Sequence, residues 1–196
     1  MEVPIYIAEI GENYDAGVSA VSLVQIPAIL TKWEAFAENE IQTYSINEEK
    51  QVIAGPAMIA DLPIKRKDAF GNDYYIIYPA KVIEDMVQKF AAQHRYNQVN
   101  IMHSSSAMVN NISMVECFCI DRKRGIMPPK GFEQLTDGSW WLGYKVWDKE
   151  LFNACKETYK GFSIEGYFDL IPSGTADKKD IDDIVSQLTE IEQFLK

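Results

Sequence analysis

Histidine is scarce in this chain: His94 and His103 are the only two among 196 residues. Any imidazole chemistry must therefore use one or both. Cysteine is nearly as rare, and the three residues Cys117, Cys119 and Cys155 are an odd number. That excludes a disulfide framework and fits a reducing compartment. A zinc site would need Cys117 and Cys119 plus two of Cys155, His94 and His103, with no CxxC knuckle among them, so no metal or other cofactor is expected. Positive charge is also lacking. The formal net charge of −10 argues against a general nucleic-acid surface, and KRK at 65–67 and DRKR at 121–124 are short runs that read as solvated loops. No apolar stretch reaches the roughly 20 residues a membrane helix needs. The opening MEVPIYIAEIGENYDAG has acids and no basic region, so no secretory signal is expected and a soluble intracellular protein is.

What is present is enough for a core: 47% of residues are hydrophobic and 24% charged, in the range of a globular domain. The first 40 residues, broken by Pro4, Gly11, Gly17 and Pro27, predict short extended segments. QVIAGPAMIA at 51–60 predicts a strand, and IKRKDAFGNDYYIIYP two strands about a Gly71-Asn72 turn. PAKVIEDMVQKFAAQHR at 79–95 predicts a helix, with Pro79 at its start and Val82, Ile83, Met86, Val87 and Phe90 on one stripe. QVNIMH predicts a strand ending on His103, followed by a flexible run of serines. ISMVECFCID at 112–121 and GSWWLGYKVWD at 138–148 predict further strands, and the former is expected to pair with the strand carrying His103. KELFNACKETYKG predicts a short helix closed by Gly161, and GFSIEGYFDLI a last strand. After residue 171 the composition changes. PSGTADKK reads as a linker, and DIDDIVSQLTEIEQFLK has the spacing of an amphipathic helix. The expected domains are therefore 1–171 and an appendage at 172–196. The expected fold class is α+β, built on a mostly antiparallel sheet that is open or closed into a barrel.

His103 and Ser163 stand out as reactive groups. A histidine at a strand end before a small polar loop is held rigidly yet open to a substrate, though a satisfied structural histidine reads equally well. Ser163, in Lys160-Gly161-Phe162-Ser163-Ile164-Glu165-Gly166, is either a hydroxyl on a half-buried strand or a nucleophile with glycines that let another backbone approach. Ser104, Ser105 and Ser106 are rival hydroxyls. A serine needs a base to take its proton, and an imidazole with a pKa near neutrality suits that task. The imidazole in turn needs an orienting acid. Glu116, the one acid in an otherwise apolar strand, is the first candidate, and Glu165, two residues beyond Ser163 on the same face, is its rival.

GVSAVSLVQIPAI, VIAGPAMIADLPIKRKDAFGNDYYIIY, NIMHSS, MVECF, GSWWLGYKVWD and KGFSIEGYF occur in that order. Together they resemble the XkdF-like prohead serine proteases of tailed bacteriophages, which are related to the herpesvirus assemblin-type proteases. The resemblance spans roughly residues 15–170. It implies a compact β-barrel flanked by helices, with His103 as general base, Ser163 as nucleophile and Glu116 as the acid carried over. Assemblins use a second histidine after the serine, and none stands there in this sequence. Gln25 occupies a place where many relatives carry an acid.

The activity so implied is that of an endopeptidase cleaving scaffold and major capsid proteins, and itself, inside an assembling prohead in the host cytoplasm. No nucleic acid or membrane partner is expected; a homo-oligomer is possible on this reading. A non-catalytic capsid or tail protein on a related barrel is the alternative, since a fold does not guarantee chemistry. A thiol enzyme built on Cys117 or Cys155 lacks an activating neighbour in sequence. Leu188-Thr189-Glu190 in the tail resembles the aliphatic-x-acid sites that some prohead proteases cut.

Overall fold

The computed structural model describes residues 2–27 and 45–177. Twelve strands and two helices occur among them. The strands are β1 (Glu2–Glu9), β2 (Gly17–Val24), β3 (Ser45–Asn47), β4 (Val52–Met58), β5 (Ile64–Lys67), β6 (Asp73–Ile77), β7 (Val99–Ile101), β8 (Ser104–Met108), β9 (Ile112–Cys119), β10 (Trp140–Val146), β11 (Gly161–Tyr167) and β12 (Asp169–Asp177). Helix α1 covers Ala80–Ala92 and α2 covers Lys149–Glu157.

They form three four-stranded sheets, ordered β12-β1-β6-β5, β3-β4-β10-β9 and β11-β2-β7-β8. Two pairings, β1 with β6 and β2 with β7, are parallel, and the others are antiparallel. The mostly-β character agrees with the expectation. A closed barrel does not: among the described residues no hydrogen-bonded ladder closes on itself. The core lies between the sheets and α1, where Ile83, Met86 and Phe90 on one helical stripe meet Val21, Leu23, Trp140, Leu142 and Tyr144. Phe90 and Trp140 meet edge to face at 5.2 Å. A second cluster packs Trp141 against Phe132, with centroids 4.7 Å apart.

Several expectations need correction. The strand of residues 112–119 pairs with β10, not with the strand leading to His103. The serines 104–106 are not a flexible loop but the start of β8. Helix α2 ends at Glu157 with Thr158 as its cap, so Gly161 opens β11 instead of closing a helix. The linker does not begin at 172, because β12 continues to Asp177, paired with β1 down to Glu2. This ladder ties the end of the expected first domain to its beginning. The amphipathic helix and its Leu188-Thr189-Glu190 lie outside the described residues. Both basic runs carry ion pairs: Lys65 and Lys67 share Asp73, at 2.6 and 3.0 Å, and Arg122 reaches Asp137 at 2.5 Å. No helix among the described residues is long and apolar enough to cross a membrane.

Candidate active site

The sheet β11-β2-β7-β8 has two unlike faces. Val21, Leu23, Val99 and Phe162 alternate onto the core side. On the other side, register places Ser163 opposite Ser22, and Ser22 beside Asn100. All three are buried, with 8%, 0% and 2% of their surface exposed. A row of buried polar side chains on a strand face is costly unless they are hydrogen-bonded to something useful. The row leads to His103.

His103 sits in the tight turn between β7 and β8, where Ile101 pairs with Ser104. Both residues of that turn, Met102 and His103, have positive φ, 52° and 58°. This is the dihedral sign of a type I′ hairpin turn, normally given to Asn and Gly. A bulky side chain at such an angle is uncommon and strained, and strain of this kind gathers at functional sites. The turn is anchored twice: the Met102 amide donates to the Leu23 carbonyl at 3.0 Å, and the His103 amide donates to Ser22 Oγ at 2.8 Å.

The imidazole is held by Glu165. His103 Nδ1 lies 3.0 Å from Glu165 Oε1, and the same oxygen accepts the Asn100 Nδ2 amide at 2.7 Å. An ionised carboxylate can only accept, so Nδ1 carries the hydrogen and Nε2 is left as the basic nitrogen. The side chains of the pair are 46% and 28% exposed, so the site is open to water. Glu165 gets its place from β11, two residues beyond Ser163 on one face, before a bulge that shifts the register at Gly166. There a Cβ would come within 2.2 Å of the Gly17 carbonyl oxygen, so glycine lets β2 and β11 close up, as the glycine-bounded strand suggested.

Glu116, expected as the orienting acid, is elsewhere. It lies on β9 opposite Gly143 of β10, its carboxylate folded across the space a Gly143 Cβ would fill. Its Oε2 accepts the Trp141 indole N–H at 2.7 Å. An acid in an apolar strand does have a partner, but that partner is a tryptophan. The acid on the histidine is Glu165.

Ser163 and His103 share the face, but no hydrogen bond joins them among the described residues. Ser163 also lines a small cavity, about 30 Å³, with Ala57, Met58, Ile64, Tyr78 and Arg66 on its walls. That is room for about one water molecule. Arg66, whose guanidinium donates to the Lys65 carbonyl at 3.2 Å, is the cation on that wall. His94, at positive φ just beyond the end of α1, packs near Tyr96 and takes no part in this cluster. Ser104 and Ser106 bond to each other at 2.9 Å. The thiols are poor nucleophiles: burial pushes Cys119 and Cys155 up to about 12 and raises Cys117, whose contact with the Trp140 indole N–H opposes the rise.

No protein-family model matches the chain, and neither does any curated protein or solved structure.

Proposed function

We propose that this chain is a serine endopeptidase of the phage prohead-maturation type, acting through Ser163, His103 and Glu165. The observation that carries the reading is the Glu165–His103 pair, set on the same buried polar face as Ser163. An imidazole whose Nδ1–H is fixed by a carboxylate presents Nε2 as a base, which a serine nucleophile requires. In the reaction Nε2 removes the Ser163 proton as Oγ attacks a peptide carbonyl. Glu165 then offsets the imidazolium charge, and His103 returns the proton to the leaving amine. Arg66, on the wall of the cavity that Ser163 also lines, is the candidate to stabilise the oxyanion. The reading requires the Ser163–His103 hydrogen bond to form when substrate binds, as catalytic bonds are often long or poorly aligned before then.

The finer parts of the proposal rest on the resemblance of the six ordered segments. They are the scaffold and major capsid proteins as substrates, self-cleavage, the prohead interior as location, and a barrel of the assemblin kind. Beside that barrel reading stands the approach of the edge strand β11 to β4, the second strand of another sheet. That no hydrogen bond joins Ser163 and His103 among the described residues favours one alternative, a capsid or tail structural protein that keeps the polar face without chemistry.

The test is labelling with a fluorophosphonate, which reacts with activated serines, followed by peptide mass spectrometry. The proposal expects one adduct, on Ser163, abolished by His103→Ala. An unlabelled wild type that also leaves capsid and scaffold proteins uncut would establish the structural alternative.

A further inference from the structure

We propose that Asn100 is a positioning residue of this site: its amide fixes Glu165 on the imidazole and so selects the tautomer of His103. The inference rests on the Glu165–His103 pair of the proposed site. Asn100 occupies the middle of β7, 2% exposed, between Val99 and Ile101, whose side chains point to the opposite face. Its Nδ2 donates to Glu165 Oε1 at 2.7 Å, and its Oδ1 is buried with no hydrogen-bond partner among the described residues.

The orientation of the amide is forced. A carboxylate offers no hydrogen, so the NH₂ group must face Glu165, and Oδ1 is turned to the side where nothing donates. An asparagine in a strand with one polar atom unpaired is a poor structural choice, because leaving a buried acceptor unsatisfied opposes folding. What it gains is a grip on one oxygen of Glu165. Glu165 is itself partly exposed and, without a second donor, is free to swing toward water. With Asn100 in place, the oxygen that accepts the Nδ1–H is held from below by a group that has almost no freedom. Ser22 does the matching work for the backbone, since its Oγ receives the His103 amide. The base is thus fixed at both ends by two buried side chains of neighbouring strands.

The experiment is ¹⁵N NMR of the histidine rings in the full chain, at a pH where both are neutral, with His94→Gln used to assign the signals. Wild-type His103 is expected as the Nδ1–H tautomer, whereas a free imidazole prefers the hydrogen on Nε2. In Asn100→Ala the ring should shift toward a mixture of tautomers. Cleavage of a peptide substrate should lose about 10–100-fold in kcat with KM little changed, as for the loss of other groups that orient a catalytic ligand. Asn100→Leu, of similar size but without the donor, should behave alike. Wild type with its hydrogen on Nε2, or Asn100→Ala with an unaltered tautomer and kcat, would overturn the assignment. If Asn100→Ala fails to fold, Asn100→Leu and the wild-type spectrum decide the question alone. The spectra need no activity: a tautomer that responds as expected in a protein that cleaves nothing supports the role of Asn100 and removes the protease reading.

Discussion

Glu165→Gln separates the two acids considered for the site, because Gln keeps the shape and removes the charge. Across a 3.0 Å Nδ1–Oε1 contact the charge centres of an imidazolium and a carboxylate are about 4 Å apart. Their attraction is about 4 kcal/mol at an effective dielectric constant of 20 and about 1 kcal/mol in water. With 46% and 28% of the side chains exposed, solvent screens the pair, and the value belongs toward the lower end. About 2 kcal/mol of lost imidazolium stabilisation corresponds to roughly a 30-fold fall in kcat. A second penalty comes from geometry. The Gln amide can turn its NH₂ toward Nδ1, which then becomes the acceptor and leaves Nε2 with the hydrogen, unable to act as base. The combined loss is therefore expected to exceed about 100-fold in kcat, with little change in KM. In Glu116→Gln the amide oxygen can still accept the Trp141 indole N–H now held at 2.7 Å. That variant should retain activity within about threefold, with stability altered by no more than about 1 kcal/mol. The assay is peptide cleavage by both variants, with thermal unfolding beside it to show that each is folded. Loss of activity in Glu116→Gln with Glu165→Gln near wild type would refute the assignment of the acid.

The cysteines and the end of the described chain give two further tests. With burial pushing Cys119 and Cys155 up to about 12, only about one thiol in ten thousand is ionised at pH 8. Iodoacetamide should therefore leave native activity intact and label all three cysteines only after denaturation, as mass spectrometry would reveal; rapid native labelling with loss of activity would revive a thiol mechanism. Truncation after Ile171 removes the residues of β12 that pair with Glu2–Tyr6 and should lower the melting temperature by about 5 °C or more, while truncation after Asp177 should lower it little. An equal fall for both would place the stabilising contacts beyond Asp177.

Most elements were legible because each carried a local signal. Apolar and aromatic runs marked β4, β9 and β10, the Gly71-Asn72 pair marked the β5–β6 hairpin, and the apolar stripe with Pro79 marked α1. What failed was non-local. Nothing in ISMVECFC tells which strand it pairs with, so Glu116 was expected beside His103 when β10 lies between it and β4. Gly143 was the available clue: a glycine opposite an acid makes room for that side chain, and Trp141 nearby supplies a donor. PSGTAD reads as a linker because its composition is turn-rich, yet β1 pairs with it as a strand. A ready partner strand overrides weak propensity. The serines 104–106 became a strand for the same reason, led into β8 by the turn at Met102 and His103.

That turn connects the fold to the site. Had β7 and β8 been joined by Asn-Gly, the hairpin would form without strain. Here the two left-handed positions hold methionine and histidine, and the side chain so aimed is the one that Glu165 receives. The cost is met by bonds that a plain hairpin would not need: Met102 N–H to Leu23, His103 N–H to Ser22 Oγ, and Asn100 to Glu165. Each comes from a strand of the same sheet, and the Ser22, Asn100 and Glu165 side chains all lie on its polar face, while the other face is packed into the core. Period-two alternation thus divides the labour within single strands. Val21, Leu23 and Phe162 hold the sheet in place, and Ser22, Ser163 and Glu165 between them form its polar face. A one-residue slip of β11 would exchange the two sets, burying Glu165 and exposing Phe162. Gly166 and Gly17, by letting β11 and β2 approach closely at the bulge, guard against it.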